Sequence, residues 1–257
     1  MKKRIFFLTG TVLLLILAVA GLTFVPGKAE PRLTLRLSSE KTNYKLGEPI
    51  TFNFELTNGS GKQVELLDGF DIASSSISLE VSLDGKPYAR CGDSGWGTLD
   101  ASLQSPLNLP PDQSLETSGS MLWKRSAKDT PEFFFTRSGS LSFRAKYVAL
   151  LLSDGKRMEI PLESEPIQIT LESPSGEDLE VWNKIKDDGN FALLIQKNRV
   201  DISDSKTEER AKFMQKVEDI IGTHPNSFYA ESLHQSKAKF EAAEIARQEM
   251  IKKMQIQ

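Results

Sequence analysis

The chain has little of what most enzyme and metal chemistry needs. In 257 residues there is one cysteine, Cys91, and there are two histidines, His224 and His234. One thiol cannot close an intrachain disulfide. In an oxidising compartment Cys91 is therefore either buried or reactive toward a partner, and burial is the commoner state of a free cysteine. One cysteine and two histidines do not make a zinc set. Positive charge is also in short supply. Four of the 32 basic residues and none of the 35 acidic residues fall in the first 29, so residues 30–257 carry 28 bases against 35 acids, a net of −7. Such a body repels phosphate backbones and has no basic stripe, which argues against nucleic acid as a partner. Apolar residues are not scarce. They make up 39% of the chain, enough to bury a core in one large domain or two ordinary ones.

One long hydrophobic run stands at the N-terminus. "MKKR" precedes Ile5–Val25, 21 residues without a charge. A basic head, an apolar stretch and a small-residue site describe an export signal. Ala18-Val19-Ala20 and Gly27-Lys28-Ala29 are the candidate cleavage sites. At about 1.5 Å per residue the same run is also long enough to cross a hydrocarbon layer of roughly 30 Å. Residues 1–29 are thus a signal peptide or an N-terminal membrane anchor, and both stay open. Either way Lys2, Lys3 and Arg4 stay cytoplasmic and the chain after Val25 is sent across. The expected location is periplasmic or extracellular, with a tether at residues 5–25 if the run is not cleaved.

From Leu33 to about Leu171 the apolar period is two. "ITFNFELTN" (50–58) sets Ile50, Phe52, Phe54 and Leu56 on one face, and "ISLEVSL" (77–83) does the same. "LTLRLS" (33–38), "LSFRAKYVAL" (141–150) and "IQITL" (167–171) follow the pattern, and weaker strands fit at 64–67, 115–122 and 157–162. Such alternation means strands with one dry and one wet face. Asn58-Gly59, Asp84-Gly85 and Asp154-Gly155 are tight-turn pairs between them. About eight strands with no helical segment predict a two-sheet sandwich.

A resemblance adds to this. "YKLGEPITFNFELTNGSGKQVEL" (44–66) resembles the opening of exported bacterial immunoglobulin-like domains, which read Tyr-x-x-Gly-Glu-x-Ile, an alternating strand, then Asn and a polar turn. The strand plan is also similar to the bacterial intracellular proteinase inhibitor family. There a Pro-Gly-Glu segment precedes a tryptophan-bearing strand, whereas here it reads Pro111-Asp112-Gln113. The resemblance implies an immunoglobulin-like β-sandwich over residues 31–172 and carries across no functional residue.

After residue 173 the period becomes helical. Leu179, Trp182 and Ile185 lie three apart, and Phe213, Val217, Ile220 and Ile221 share one face, with Gly222 as the expected C-cap. A long helix then carries Tyr229, Leu233, Phe240, Ala243, Met250 and Met254 at helical intervals. "FMQKVEDIIGTHPNSFYAESL" (213–233) resembles the helix–turn–helix joint of a tetratricopeptide unit. No second copy follows, and such repeats need about three to share a core. Residues 173–257 therefore read as a small helical domain whose apolar face needs cover.

The catalytic signals are thin. Gly92-Asp93-Ser94-Gly95 matches the nucleophile loop of trypsin-like proteases, but that chemistry needs an imidazole and an orienting carboxylate. Both histidines follow Ser94, in the helical tail, and Trp96 stands where a glycine belongs. "DISDSKTEE" (201–209) spaces oxygens like a calcium loop, yet Lys206 and Lys212 occupy the required Gly and Glu positions. "DGFD" (68–71) and "DDGN" (187–190) read as turns. Trp123 and Trp182 read as core, while Trp96 lies in a Gly-rich loop with no evident core to enter.

The expectation is an all-β immunoglobulin-like sandwich followed by a small α-helical C-terminal domain, acting as a non-catalytic exported protein-binding module. No catalytic residue, metal or cofactor is assigned. The binding residues expected are Arg90, Asp93 and Trp96 in the loop, and Phe213, Tyr229, Leu233 and Phe240 in a helical groove. The partner would be another envelope protein, with membrane contact only through residues 5–25. A sandwich-type protease inhibitor, or a hydrolase using Ser94 or Cys91, are the alternatives.

Overall fold

The alternating segments form strands in the computed structural model, which describes residues 32–70, 72, 77–91, 97–98, 106–153, 155–203 and 205–255. In chain order they are β1 (Leu33–Ser39), β2 (Asn43–Lys45), β3 (Ile50–Asn58), β4 (Val64–Leu66), β5 (Ile77–Leu83), β6 (Ala89–Arg90) and β7 (Gly97–Thr98). There follow β8 (Leu107–Leu109), β9 (Ser114–Met121), β10 (Trp123–Arg125), β11 (Pro131–Phe133), β12 (Gly139–Ser153), β13 (Lys156–Glu163) and β14 (Ile167–Glu172). One sheet has the order β1-β3-β9-β7, all antiparallel.

The second sheet is organised on β12. Its first half pairs with β14 on one edge and β5 on the other, and its second half with β13 and β4. Ser164 makes the break between β13 and β14 possible. Its Oγ accepts from Ala145 N–H at 2.9 Å, and its own N–H donates to Ala145 C=O, so the backbone of β12 stays satisfied across the step. The inward residues of β12, Leu141, Phe143, Ala145, Tyr147, Ala149 and Leu151, are all buried. Phe143 meets Phe52 of the facing sheet at 4.8 Å. The two sheets thus form a sandwich over one apolar interior. Outward positions are polar as far as Lys146. Beyond it Val148 is 51% exposed and Leu152 36%, so the period-two rule is broken on the wet face there.

Asn58 closes the turn after β3. Its side-chain amide donates to the carbonyls of Lys62 and Leu109 at 2.8 and 2.9 Å and accepts from Ser60 N–H and Oγ. A fully buried, saturated amide serves the fold, and the Asn58-Gly59-Ser60 sequence is a turn.

Four helices follow: α1 (Gly176–Ile185), α2 (Gly189–Lys197), α3 (Thr207–Thr223) and α4 (Phe228–Gln255). Three details differ from the sequence reading. The 187–190 segment opens α2, with Asp188 as N-cap accepting from Asn190 N–H. Gly189 is needed for close approach, since a Cβ there would fall inside the Pro131 carbonyl of β11. Gly222 lies within α3, which runs on to Thr223 and is capped by His224. Third, Leu179 is exposed, and α1 buries Val181, Trp182 and Ile185.

The helices share one continuous core with the sandwich. Trp182 meets Phe133 edge-on at 4.9 Å and stacks on Tyr229 at 5.8 Å. Gly47, at φ +81°, lets the chain pass that indole; a Cβ there would lie 2.5 Å from the ring. The Tyr229 hydroxyl donates to Leu46 C=O. Asp178, in the first turn of α1, accepts from Phe228 N–H at 2.8 Å, Ser227 Oγ at 2.9 Å and Lys45 Nζ at 2.7 Å. It therefore caps α4 from another helix and ties both to β2. Burial would raise the Asp178 pKa, but the bonds from Lys45, Phe228 N–H and Ser227 outweigh it and hold the carboxyl below its ordinary value. Gln196 of α2 completes the junction. Its Oε1 accepts from Leu122 N–H at 2.7 Å and its Nε2 donates to Ser120 C=O at 2.6 Å, where β9 gives way to β10.

Candidate binding site

The loop expected to recognise a partner lies only partly within the described residues. Arg90 is exposed at the end of β6, opposite Glu80 in the β5–β6 register. Glu80 is already engaged by Arg144 Nε at 2.7 Å and Lys146 Nζ at 2.9 Å. Burial works against its charge, yet these two cations prevail and lower its pKa. Asp93, Ser94 and Trp96 lie outside the described residues. Cys91 is buried, with its N–H on Leu79 C=O at 2.8 Å. Burial, with Glu80 nearby, pushes its thiol up to about 12, so it is protonated and unreactive at neutral pH.

The helical residues singled out by period are all turned inward. Phe213 packs against Phe191 of α2 with tilted rings 4.9 Å apart, and Tyr229, Leu233 and Phe240 are buried as well. They hold the helices together and onto the sandwich. The stripe continues along α4 without cover. The Arg210–Glu244 ion pair at 3.3 Å lies near the start of α3, and beyond it Met250 and Met254 are exposed.

An open concavity of the helical region lies elsewhere. Lys184, Phe191, Lys216, Asp219, Ile220 and Thr223 line a surface groove of about 430 Å³ between α1, α2 and α3. That size is ordinary for ligand sites. Phe191 and Ile220 are buried and form its floor, while the other four are exposed at its rim. The α3 residues recur at i, i+3, i+4 and i+7, so they share one face. Lys184 Nζ sits 2.6 Å from His224 Nε2. An ammonium donating there fixes the ring proton on Nδ1, which faces Glu177 and Glu180 at 3.8 Å. The lone pair that His224 would need as a base is thereby taken. Asp219 Oδ1 accepts from Gln215 Nε2 at 3.0 Å. Among the described residues no three His, Cys, Asp or Glu side chains converge as a metal would need.

Two of these groove residues were open to sequence reasoning. Ile220 belongs to the α3 stripe, and Lys216 precedes it by one turn. Phe191 was not, because 187–190 reads as a turn and the period assigns no helix to the residues that follow it.

No family model matches the chain, and no curated protein matches it. Solved structures similar to it include the CARDB domain of a Pyrococcus furiosus protein in complex with di-metal ions, at 10% identity and a TM-score of 0.29. That match covers 56% of this chain and 96% of the domain. The Bacillus subtilis sporulation control protein Spo0M matches at 12% identity and a TM-score of 0.26, covering 58% of this chain and 51% of that one. A β-glucosidase from Erythrobacter marinus matches at 12% identity and 0.29, over 55% of this chain and 16% of that one. At such scores neither fold nor function follows from them. The β-rich body and its C-terminal helices rest on the strand pairing and helix packing above. No helix among the described residues is long and apolar enough to cross a membrane.

Proposed function

We propose that this chain is an exported, non-catalytic binding protein. An immunoglobulin-like sandwich holds a helical region rigid for docking a second envelope protein. The observation that carries this reading is the groove between α1, α2 and α3, an apolar-floored concavity on helices welded to the sandwich. Export is supported by the basic head and the uncharged run Ile5–Val25. The immunoglobulin-like assignment is supported by the Tyr44–Ile50 opening and two facing antiparallel-rich sheets. The engaged ring of His224 and the protonated thiol of Cys91 favour binding over hydrolysis.

Photocrosslinking in cells expressing the full chain tests this. A photoreactive residue at Thr223, on the groove rim, is expected to give a discrete adduct with an envelope protein. The same residue at Thr34, exposed on the outer face of the first sheet, is expected to give none. Identical patterns from the two positions, or no adduct at Thr223, refute the proposal.

A further inference from the structure

We infer that the occupant of this groove is the free C-terminus of a partner polypeptide ending in an apolar residue. The inference rests on the binding reading above and names its ligand. Charge comes first. Lys184 and Lys216 both border the groove, and neither is within ion-pair distance of a carboxylate among the described residues. Asp219 offsets one of these two charges, so the lining keeps a net positive charge that an anionic ligand would complement. Lys184 is also held in place by its bond to His224, so less of its freedom is lost when a ligand binds.

Shape and the remaining groups narrow the anion. The floor of the groove is made of Phe191 and Ile220, so the ligand carries an apolar group close to its charge. Asp219 stands on the same rim and disfavours a multiply charged phosphate, but its carboxylate can accept from one N–H. A chain terminus offers these three features within a single residue: a carboxylate for the lysines, an amide N–H for Asp219 and a side chain for the floor. An internal Asp or Glu uses its side chain for the charge, so the apolar group for the floor would have to come from a different residue.

Fluorescence anisotropy on the full chain tests this with an N-terminally labelled Gly-Ser-Gly-Ala-Leu peptide, as free acid and as C-terminal amide. The free acid is expected to bind saturably and to weaken with added salt. The amide is expected to bind at least about tenfold more weakly, as loss of charge-assisted hydrogen bonds requires. Lys216→Gln should weaken the free acid by a similar factor and leave the amide unchanged, with an unaltered melting curve because Lys216 is exposed. Equal binding of the two peptides, or no saturable binding of the free acid, overturns the inference. If the Thr223 crosslink persists in that event, the ligand is misassigned and the binding reading stands; if the crosslink is absent too, both fail.

Discussion

Replacing Asp178 with alanine tests the junction at its most connected side chain. The change leaves Phe228 N–H without its acceptor at the start of α4, a loss of about 1 kcal/mol by analogy with an N-cap. It also removes the Ser227 hydroxyl's bond to a charged carboxylate, worth about 1.5 kcal/mol or a little more. The Lys45 side chain is 43% exposed, so its ion pair is screened and adds no more than about 1 kcal/mol. Together these give roughly 2–4 kcal/mol, or a fall in Tm of about 5–15 °C for a chain of this size. Tryptophan fluorescence during urea unfolding suits the assay, because Trp182 is buried at the same junction. Asp178→Asn keeps an acceptor and loses the charge, so it should cost less. The pH dependence supplies a second check. A carboxyl whose folded pKa is depressed stabilises above its unfolded value, about 3.9, and stops doing so as pH falls through the folded value. The gap between wild type and Asp178→Asn should therefore hold from pH 7 to 5 and close below about pH 4. A Tm change for Asp178→Ala within about 1 °C, or a gap that widens in acid, would refute the account.

Two other expectations follow from the packing of the same core. Gly189→Ala should destabilise by about 1–3 kcal/mol despite alanine's better helix propensity, because the added methyl meets the Pro131 and Glu132 backbone, which has no room to yield; an unchanged thermal midpoint would show that α2 does not sit this close to β11. Cys91 should resist a disulfide-exchange reagent at pH 8 in the native protein and react fully after unfolding in guanidinium; rapid stoichiometric labelling of the native chain would place the thiol at the surface.

The sandwich was largely legible in the sequence, since period two fixes which side of a strand is dry whatever the partner strand turns out to be. The segments at 33–38, 50–58, 77–83 and 167–171 all became strands, as did the weaker ones at 64–67, 115–122 and 157–162. Six short strands escaped notice: β2, β6, β7, β8, β10 and β11 are two or three residues long, too short to show any period. They exist because a neighbour pairs with them. Asn43–Lys45, for instance, is a strand by virtue of Thr170–Glu172 beside it.

The proposed binding face was harder to read, and the reason is general to helices. A stripe such as Phe213, Val217 and Ile220 shows that one side of a helix is covered, but nothing in the period distinguishes cover by the protein's own core from cover by a partner. Here the largest members of the stripes, Phe213, Tyr229, Leu233 and Phe240, went to the core, where Tyr229 stacks on Trp182 of α1 and Phe213 packs against Phe191 of α2. That helix was hidden by Asp187-Asp188-Gly189-Asn190, whose turn-like composition serves as an N-cap and as a close approach to β11. Once α2 is in place, a docking face can form only where a stripe runs past its internal partner into charged residues. The groove at Ile220, Lys216 and Asp219 has that composition. The residues that mark it are the ones that interrupt the apolar pattern, so a reading that follows the pattern alone leads to the core and away from the surface.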